Sequence, residues 1–424
     1  LNTRWLAMPK AVSTVRIVGY GMTGLGKLKR SATELMQEAL SKSLKSAGLQ
    51  MKDLDGLVAV PSLSHPHFME AHYLATQVGL LPRPTPVRVR TLDTGGAGPV
   101  SGLLEAVRMV KDERCHAVAV VAGDAVSSLE TREFLKRADQ GCQDPENSLP
   151  SPCIPHGYDQ VAQWLIRQGG ITREQLAMVS VLMSRQAARH PEALTRKAHT
   201  LEEVLTSRSI APATNLLECA RRADGGAAII VASSSFMDDY LGHDAVSSQD
   251  GDANPKLGPV AAGGGIVVLG GGEASGPLYP PVAIDETMFS CEAASRSAFS
   301  EAQLLPEDIQ WFGLYDCYPV CFVRALEACG VTEKGQCGRW VEKMFHLTEK
   351  TYEAKDFPIN THGGLLAFGA PWEVPAMYNI IEACEQIRGN AMGRQVPSVR
   401  RALVYGNGGI FSHSAVAILA KAVD

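Results

Sequence analysis

The 424-residue sequence predicts an α/β fold made of two similar halves, each a mostly parallel sheet flanked by helices. Three observations lead there. Short apolar runs of strand length alternate with segments whose apolar residues recur at helical spacing. The same order of elements returns after Gly271. Between the two series, Leu129–Arg222 is richer in charge, proline and helical pattern, as an inserted lid or loop domain would be.

The first series opens with Val15–Gly19 as a strand and Ala32–Ala47 as a helix closed by Gly48. Gly56–Val60 follows as a strand and Glu70–Val78 as a helix. Val87–Leu92 is a strand. Pro99–Val110 is a helix, with Leu103, Leu104, Ala106, Val107 and Val110 on one face, and Ala117–Gly123 is the next strand. In the second series Val282–Met288 is expected as a strand, Ala293–Glu301 as a helix, Trp311–Tyr315 as a strand and Val320–Cys329 as a helix. Phe357–Asn360 forms a short extended lead-in to Thr361-His362-Gly363-Gly364. A helix near Val374–Cys384, the strand Ala402–Tyr405, the turn Gly406-Asn407-Gly408-Gly409 and a strand Ala415–Ala420 complete it. Two glycine clusters, Gly263–Gly265 and Gly270–Gly272, flank Ile266–Leu269. No Gly-Lys-Ser/Thr follows them, so a hairpin or a linker between halves is expected there rather than a phosphate loop. The expected divisions are a leader over 1–14, a first half over 15–128 and 223–270, a loop domain over 129–222 and a second half over 271–424.

The chain is 45% hydrophobic and 20% charged, enough for a large core, and its formal net charge is −5. With no basic block and no aromatic–basic stripe, nucleic acid is not expected as a partner. No apolar run approaches the roughly 20 residues that span a bilayer. Ten cysteines lie scattered without a CxxC pair, Cys317 and Cys321 being nearest, which predicts reduced core thiols and no metal site. From Leu1 to Thr33 there is no Asp or Glu, while Arg4, Lys10, Arg16, Lys27, Lys29 and Arg30 all occur. Such a segment suits a mitochondrial presequence; it also suits a short basic tail ahead of the first strand. The final Lys421-Ala422-Val423-Asp424 is not the peroxisomal Ser-Lys-Leu address.

The most informative local feature is Asp93-Thr94-Gly95-Gly96-Ala97-Gly98-Pro99, between a strand and a long helix. A turn of this kind puts its apex residue into a site where the unpaired N–H groups of a helix N-terminus face developing negative charge. The glycines such a site needs are present. No Ser, Cys or charged residue stands at the apex, so this is a catalytic turn without a nucleophile.

That turn, together with Tyr315-Asp316-Cys317-Tyr318, Asn360-Thr361-His362-Gly363-Gly364 and Asp224-Gly225-Gly226-Ala227-Ala228-Ile229-Ile230-Val231, resembles the thiolase superfamily over nearly the whole chain. Gly170-Ile171-Thr172-Arg173-Glu174-Gln175-Leu176-Ala177, with Arg185 and Asn215-Leu216-Leu217, resembles the loop domain of sterol-carrier-protein-type (SCP-x) thiolases. The Tyr-Asp-Cys-aromatic loop is similar to the YDCF fingerprint of thiolase-like proteins of that branch, Tyr318 standing for the Phe. The resemblance implies a thiolase fold with a five-layered α-β-α-β-α core and an inserted loop domain. It implies a coenzyme A thioester as substrate, with no covalently bound cofactor, and carbon–carbon chemistry beside the thioester in lipid metabolism. It also implies a homodimer paired through the edge strand beside the turn, where Arg88 and Arg90 alternate and permit pairing.

The same resemblance assigns the site. The family's nucleophilic cysteine falls at Gly96, and glycine cannot form an acyl-enzyme, so thiolysis by the family mechanism is excluded. Cys115 reads as structural, and Cys153 falls at the edge of the pocket. Tyr315 stands where the family offers Asn or His to the first oxyanion hole. Its hydroxyl can donate a hydrogen bond or act as a general acid, unless it is a core aromatic at a strand end. Asp316 orders that loop and Cys317 packs beneath it, while Asn360 lies on the substrate side. The family's Gly-His-Pro reads Gly369-Ala370-Pro371, which leaves His362 as the nearest replacement imidazole, or as a cap of its own turn. The family's Cys-x-Gly reads Gly406-Asn407-Gly408, so the second cysteine is absent too. The backbone N–H groups of Gly96 and Gly408 still form the second oxyanion hole. Asn407 and His413 are polar groups within range of the cavity, His413 alternatively being a surface residue. His156 lines the pantetheine channel or is a plain loop histidine.

What remains is equipment for stabilising an enolate. The leading expectation is binding of malonyl-CoA or acetoacetyl-CoA with weak decarboxylation of malonyl-CoA. Two alternatives stand beside it. One is retro-aldol cleavage of β-hydroxyacyl-CoA by Tyr315 with a small OB-fold partner; the other is a non-catalytic acyl-CoA-binding scaffold.

Overall fold

The computed structural model describes residues 14–247, 258–262, 265–350 and 352–422. The leader expected at 1–14 lies, but for Thr14, outside them. The first series runs β1 (Val15–Met22), α1 (Ala32–Ala47), β2 (Gly56–Ala59), α2 (Glu70–Gln77), β3 (Arg88–Thr91), α3 (Gly98–Lys111) and β4 (Ala117–Ala125). The inserted stretch holds α4 (Thr131–Gln140), α5 (Cys153–Arg167), α6 (Arg173–Ala187), α7 (Leu201–Thr206) and a hairpin of β5 (Ser209–Ala211) with β6 (Thr214–Asn215). β7 (Asp224–Ser233) returns to the first sheet, and α8 (Ser234–Ser247) and α9 (Pro259–Ala262) lead out of it. Then come β8 (Ile266–Ser275), α10 (Cys291–Ala302), β9 (Trp311–Leu314), α11 (Pro319–Ala328), α12 (Cys337–Lys350), α13 (Pro375–Arg388), β10 (Arg401–Gly408) and β11 (His413–Lys421).

Local chemistry accounts for the ends of these elements. Ser31 and Glu34 form a reciprocal capping box at the start of α1, and Gly48 closes it in the left-handed conformation. α6 begins with the same device, built from Thr172 and Gln175.

The strands follow the order β3-β2-β4-β7-β1-β8-β11-β10-β9. Each half repeats one plan. β2 is parallel to β3 and β4, whereas β7 and β1 run antiparallel; β10 is parallel to β9, whereas β11 and β8 run antiparallel. The place that β3 takes beside β2 is filled beside β9 by a single parallel bridge, Phe312 to Ile359. Each half is therefore mixed rather than mostly parallel. The tight turn between β10 and β11 leaves no room for the crossover that parallel pairing needs. β1 and β8 pair over Arg16–Ile17 and join the halves.

α3 touches β2, β4 and β7 of the first half and also β10 and β11 of the second, while α13 touches β9 and β10 and also β7 and β1. The two helices touch each other and are buried on almost every face. They form the central layer between two sheets, with α1 outside one and α10 outside the other, so the core has five layers. Such helices need apolar residues all round, as α3 has.

The strand expected at Val282–Met288 is not formed. Glu286–Met288 is a single 3-10 turn and Val282 is exposed. The strand that opens the second half is β8, whose glycines had suggested a hairpin or linker. They are there because helices press on the strand. A Cβ at Gly271 would meet Leu104 of α3, and Cβ atoms at Gly270 and Gly272 would meet the backbone of α10 at Ala298.

Candidate active site

Three loops converge where the carboxyl ends of β3, β9 and β10 meet. The first is the glycine turn after β3. Gly95 has φ +59, and a Cβ there would lie 2.9 Å from the Gly409 nitrogen and 3.0 Å from the Gly408 Cα. A Cβ at Gly408 would in turn fall on the Thr94 carbonyl oxygen. Only glycines let these two backbones come so close.

The second loop begins at Tyr315, directly after β9. A Cβ at Gly96 would land on the Tyr315 hydroxyl and 2.6 Å from the Asn407 carbonyl oxygen. The phenol thus occupies the space a side chain at position 96 would take. Tyr315 is 5% exposed, and its hydroxyl makes no hydrogen bond among the described residues. Burial first, then Cys317, Cys321 and Glu373, push its ionisation well above the usual phenol range, so it stays protonated. The result is a neutral, unengaged donor against the apex of the turn.

The stem of that loop is fixed by its neighbours. The Asn360 side chain accepts from the Leu314 N–H at 2.7 Å and donates to the Leu314 carbonyl at 2.7 Å, which extends the sheet by one side chain. The Asp316 carboxylate accepts from the Leu365 N–H at 2.8 Å and the Leu366 N–H at 3.3 Å. Its approach requires glycine at 364, where φ is +61 and a Cβ would fall on the carboxylate. Burial nevertheless pushes Asp316 up to about 7, against the pull of those N–H groups. Cys317 is half-buried, and its carbonyl accepts from Ala220.

The third loop is the β10–β11 turn. Asn407 donates to the Tyr158 hydroxyl at 2.8 Å, which donates to the Gly409 carbonyl at 2.5 Å. Tyr158, on α5, stacks on Tyr318 with ring centroids 4.6 Å apart. The sequence had pointed to His156 on this helix. That ring turns back to the Pro152 carbonyl at 2.9 Å, and Tyr158 is the α5 residue that reaches the site. The signal was there: Tyr158, Val161, Ala162 and Leu165 form the buried stripe of α5, and His156 lies off it.

Other expected residues lie elsewhere. His362 is buried edge-on to Phe368, and its Nδ1 has no partner. Burial, then the nearby Arg394, hold it down to about 4 although Glu382 opposes them, so it is neutral. Gly369, at φ +145, sits among Leu194, Leu25 and Ala223. Ala370 donates to the Arg221 carbonyl at 2.7 Å. His413 points to α3 and β8, 3.4 Å from Ser101 Oγ, 3.1 Å from Ser275 Oγ and 3.5 Å from Glu273. The structure therefore gathers Gly96, Tyr315, Asn407, Gly408 and Tyr158, with Asp316 and Asn360 as supports.

Known proteins share this framework. The family described as thiolase C-terminal domain-like matches residues 282–421. Acetyl-CoA acetyltransferase of Methanothermobacter thermautotrophicus is 27% identical over 418 residues, 96% of this chain and 99% of that protein. Over nearly its whole length the chain is similar to proteins of the thiolase superfamily. Sterol carrier protein 2 of Bos taurus is 28% identical over 259 residues, 61% of this chain but 44% of its own length, so the chain matches less than half of that relative. Among solved structures, the Ltp2-ChsH2(DUF35) aldolase superposes with TM-score 0.77 at 22% identity, covering 97% of this chain and 99% of that one. The fold is the thiolase fold, with its mixed central sheet and inserted domain. Among the described residues no helix is long and apolar enough to cross a membrane, and the ten cysteines are unbridged.

Proposed function

We propose that this thiolase-superfamily protein breaks or makes a carbon–carbon bond beside a coenzyme A thioester without an acyl-enzyme, and that its reaction is retro-aldol cleavage of a β-hydroxyacyl-CoA. One observation carries the reading. The Tyr315 phenol fills the space a side chain at position 96 would take, stays protonated and has no hydrogen-bond partner among the described residues. It suits a donor to the thioester oxygen, whose negative charge grows as the enolate forms.

The step balances without a redox partner. The β-hydroxyl loses its proton, and the Cα–Cβ bond breaks to leave a ketone or aldehyde. The electron pair stays on Cα as the enolate of the shorter acyl-CoA, and a proton returns to that carbon. Tyr315 and the backbone N–H groups of Gly96 and Gly408 hold the enolate oxygen. The likeness to an aldolase that carries a DUF35 component supports an OB-fold partner here as well, and β3 remains an unpaired sheet edge for a second copy of the chain.

Decarboxylation of malonyl-CoA passes through the same enolate and is the competing reading. Purified chain, alone and with a DUF35-type OB-fold protein, is assayed for release of the shorter acyl-CoA from a tertiary β-hydroxyacyl-CoA and, separately, from malonyl-CoA. Cleavage that rises with the partner supports the aldol reading. Turnover of malonyl-CoA alone overturns it in favour of decarboxylation, and binding without turnover of either leaves only a scaffold.

A further inference from the structure

Retro-aldol chemistry needs a group that accepts the β-hydroxyl proton, and neither phenol in the site suits that task. The Tyr158 hydroxyl already donates to Gly409, and Tyr315 is assigned above to the enolate oxygen. Four carboxyl groups lie around the turn and the phenol: Asp93, Asp124, Asp316 and Glu373. Asp124 is saturated by the N–H groups of Leu63, Ser64 and Ala125 at 2.7, 3.0 and 2.8 Å. Asp316 is held by Leu365 and Leu366. Asp93 is exposed and turned to the N–H of Gly95 at 3.4 Å.

Glu373 differs from these. It follows Gly369-Ala370-Pro371 and precedes α13. One carboxylate oxygen accepts from the Trp372 indole N–H at 3.1 Å. The other, Oε2, is buried and has no partner among the described residues. The Thr94 hydroxyl, in the glycine turn, is likewise buried and unpartnered. Three loops thus bring an unengaged phenol, an unengaged hydroxyl and an unengaged carboxyl oxygen to one place. An unpaired buried polar atom costs about 1–3 kcal/mol, so the Thr94 hydroxyl and Glu373 Oε2 mark a place suited to a ligand's polar groups.

We propose that Glu373 is the proton-transfer group of this site, taking the proton from the β-hydroxyl through Oε2 and returning it to the enolate carbon, with Trp372 holding the carboxylate by its other oxygen. The inference rests on the enolate chemistry proposed above. Burial first, then Asp93 and Asp124, push the Glu373 carboxyl well above the usual carboxylate range, while Trp372 pulls the other way. Tyr315 and Cys142 also face it. Its basic form therefore appears only at higher pH, where it is a stronger base than an ordinary carboxylate.

The test follows loss of α-protons from acetyl-CoA in D2O by mass spectrometry, with the full chain, and cleavage of a β-hydroxyacyl-CoA in parallel. Wild-type exchange is expected to rise with pH above the ordinary carboxylate range. Glu373→Gln is expected to lower it about 100-fold or more and remove that rise, with acetyl-CoA binding kept, while Glu373→Asp restores part of the rate. Exchange in Glu373→Gln within threefold of wild type, with the pH limb intact, overturns the proposal and leaves the aldol reading standing. Wild-type exchange that depends on Glu373, without cleavage, sinks the aldol reading and supports Glu373. A wild type that neither exchanges nor cleaves overturns both.

Discussion

Each half sends one turn from the sheet into a central helix, and the two turns are built in opposite ways. The first, Leu92–Ala97 before α3, holds itself by backbone packed on backbone against Gly408 and Gly409. Among the described residues its one side-chain bond is the 3.4 Å contact from the Gly95 N–H to Asp93, and Thr94 Oγ1 has no partner. The second, which begins at Asn360 before α13, is tied by side chains at its start, through Asn360 and Thr361. Thr361 donates to Glu382 at 2.6 Å and accepts from the Trp311 indole at 3.0 Å and from Gln386 at 3.0 Å. Glu382 is paired with Arg394 through two buried contacts, of 3.2 and 3.0 Å. The difference divides the labour: the first turn offers a ligand its backbone, and the second fixes the loop that carries Tyr315.

If that division holds, cutting the second turn damages the fold more than the first. Arg394→Met leaves Glu382 buried without its partner and is expected to cost about 3–5 kcal/mol, measured by urea denaturation at neutral pH. A loss under 1 kcal/mol would show that the network does not hold the turn. Tyr315→Phe should act the other way. It keeps the ring and removes only the unengaged hydroxyl, so the fold stays while kcat for cleavage falls about 10²–10³-fold with little change in KM. A phenylalanine variant within threefold of wild type would reduce Tyr315 to a packing residue.

The same contrast decides what the sequence disclosed. The elements around the first turn were legible because each obeys a local rule: α1 from its capping serine and closing glycine, α3 from an apolar pattern that fits burial between two sheets. The lack of a reactive side chain at Gly96 was legible because it shows in one dimension. β8 was not, since Gly270, Gly271 and Gly272 serve contacts with α10 and α3, which lie far away in sequence. α12 was passed over, although it packs on α6. Tyr158 and Glu373 escaped for a related reason. Each comes from its own segment, and only folding sets it beside Tyr315. The three histidines drew attention by their chemistry, whereas their positions depend on which face of an element they share.

Gly96 tests the close approach itself. Gly96→Ala puts a methyl group where the Tyr315 hydroxyl sits, so one of them must move, at an expected cost of about 1–3 kcal/mol. In a double-mutant cycle the cost should shrink when Tyr315→Ala removes the phenol, while the Asn407 carbonyl oxygen, 2.6 Å from the new methyl, still opposes it. Additive effects would mean that the phenol does not press on the turn. Gly96→Cys meets the same obstacle, and thiolysis is not expected from it while Tyr315 is present.

The smallest effect concerns Asp316, and its sign follows from the position of the group. An unfolded aspartate titrates near 3.9, whereas here burial raises the carboxyl to about 7. Between those values the folded protein binds the extra proton and the unfolded chain does not, so this residue's contribution to stability falls as pH rises through that window and is level above it. Asp316→Asn removes the titration, and the gap between wild type and variant in urea denaturation should change between pH 5 and pH 8 by at most about 1.4 kcal/mol per pH unit. A gap that does not change with pH would mean that the N–H groups of Leu365 and Leu366 outweigh burial and keep Asp316 ionised. The amide also turns an N–H₂ toward one of those two donors, so the variant loosens the Tyr315 loop at every pH. The pH-dependent part of the gap therefore reports the proton, and the constant part reports the lost hydrogen bond.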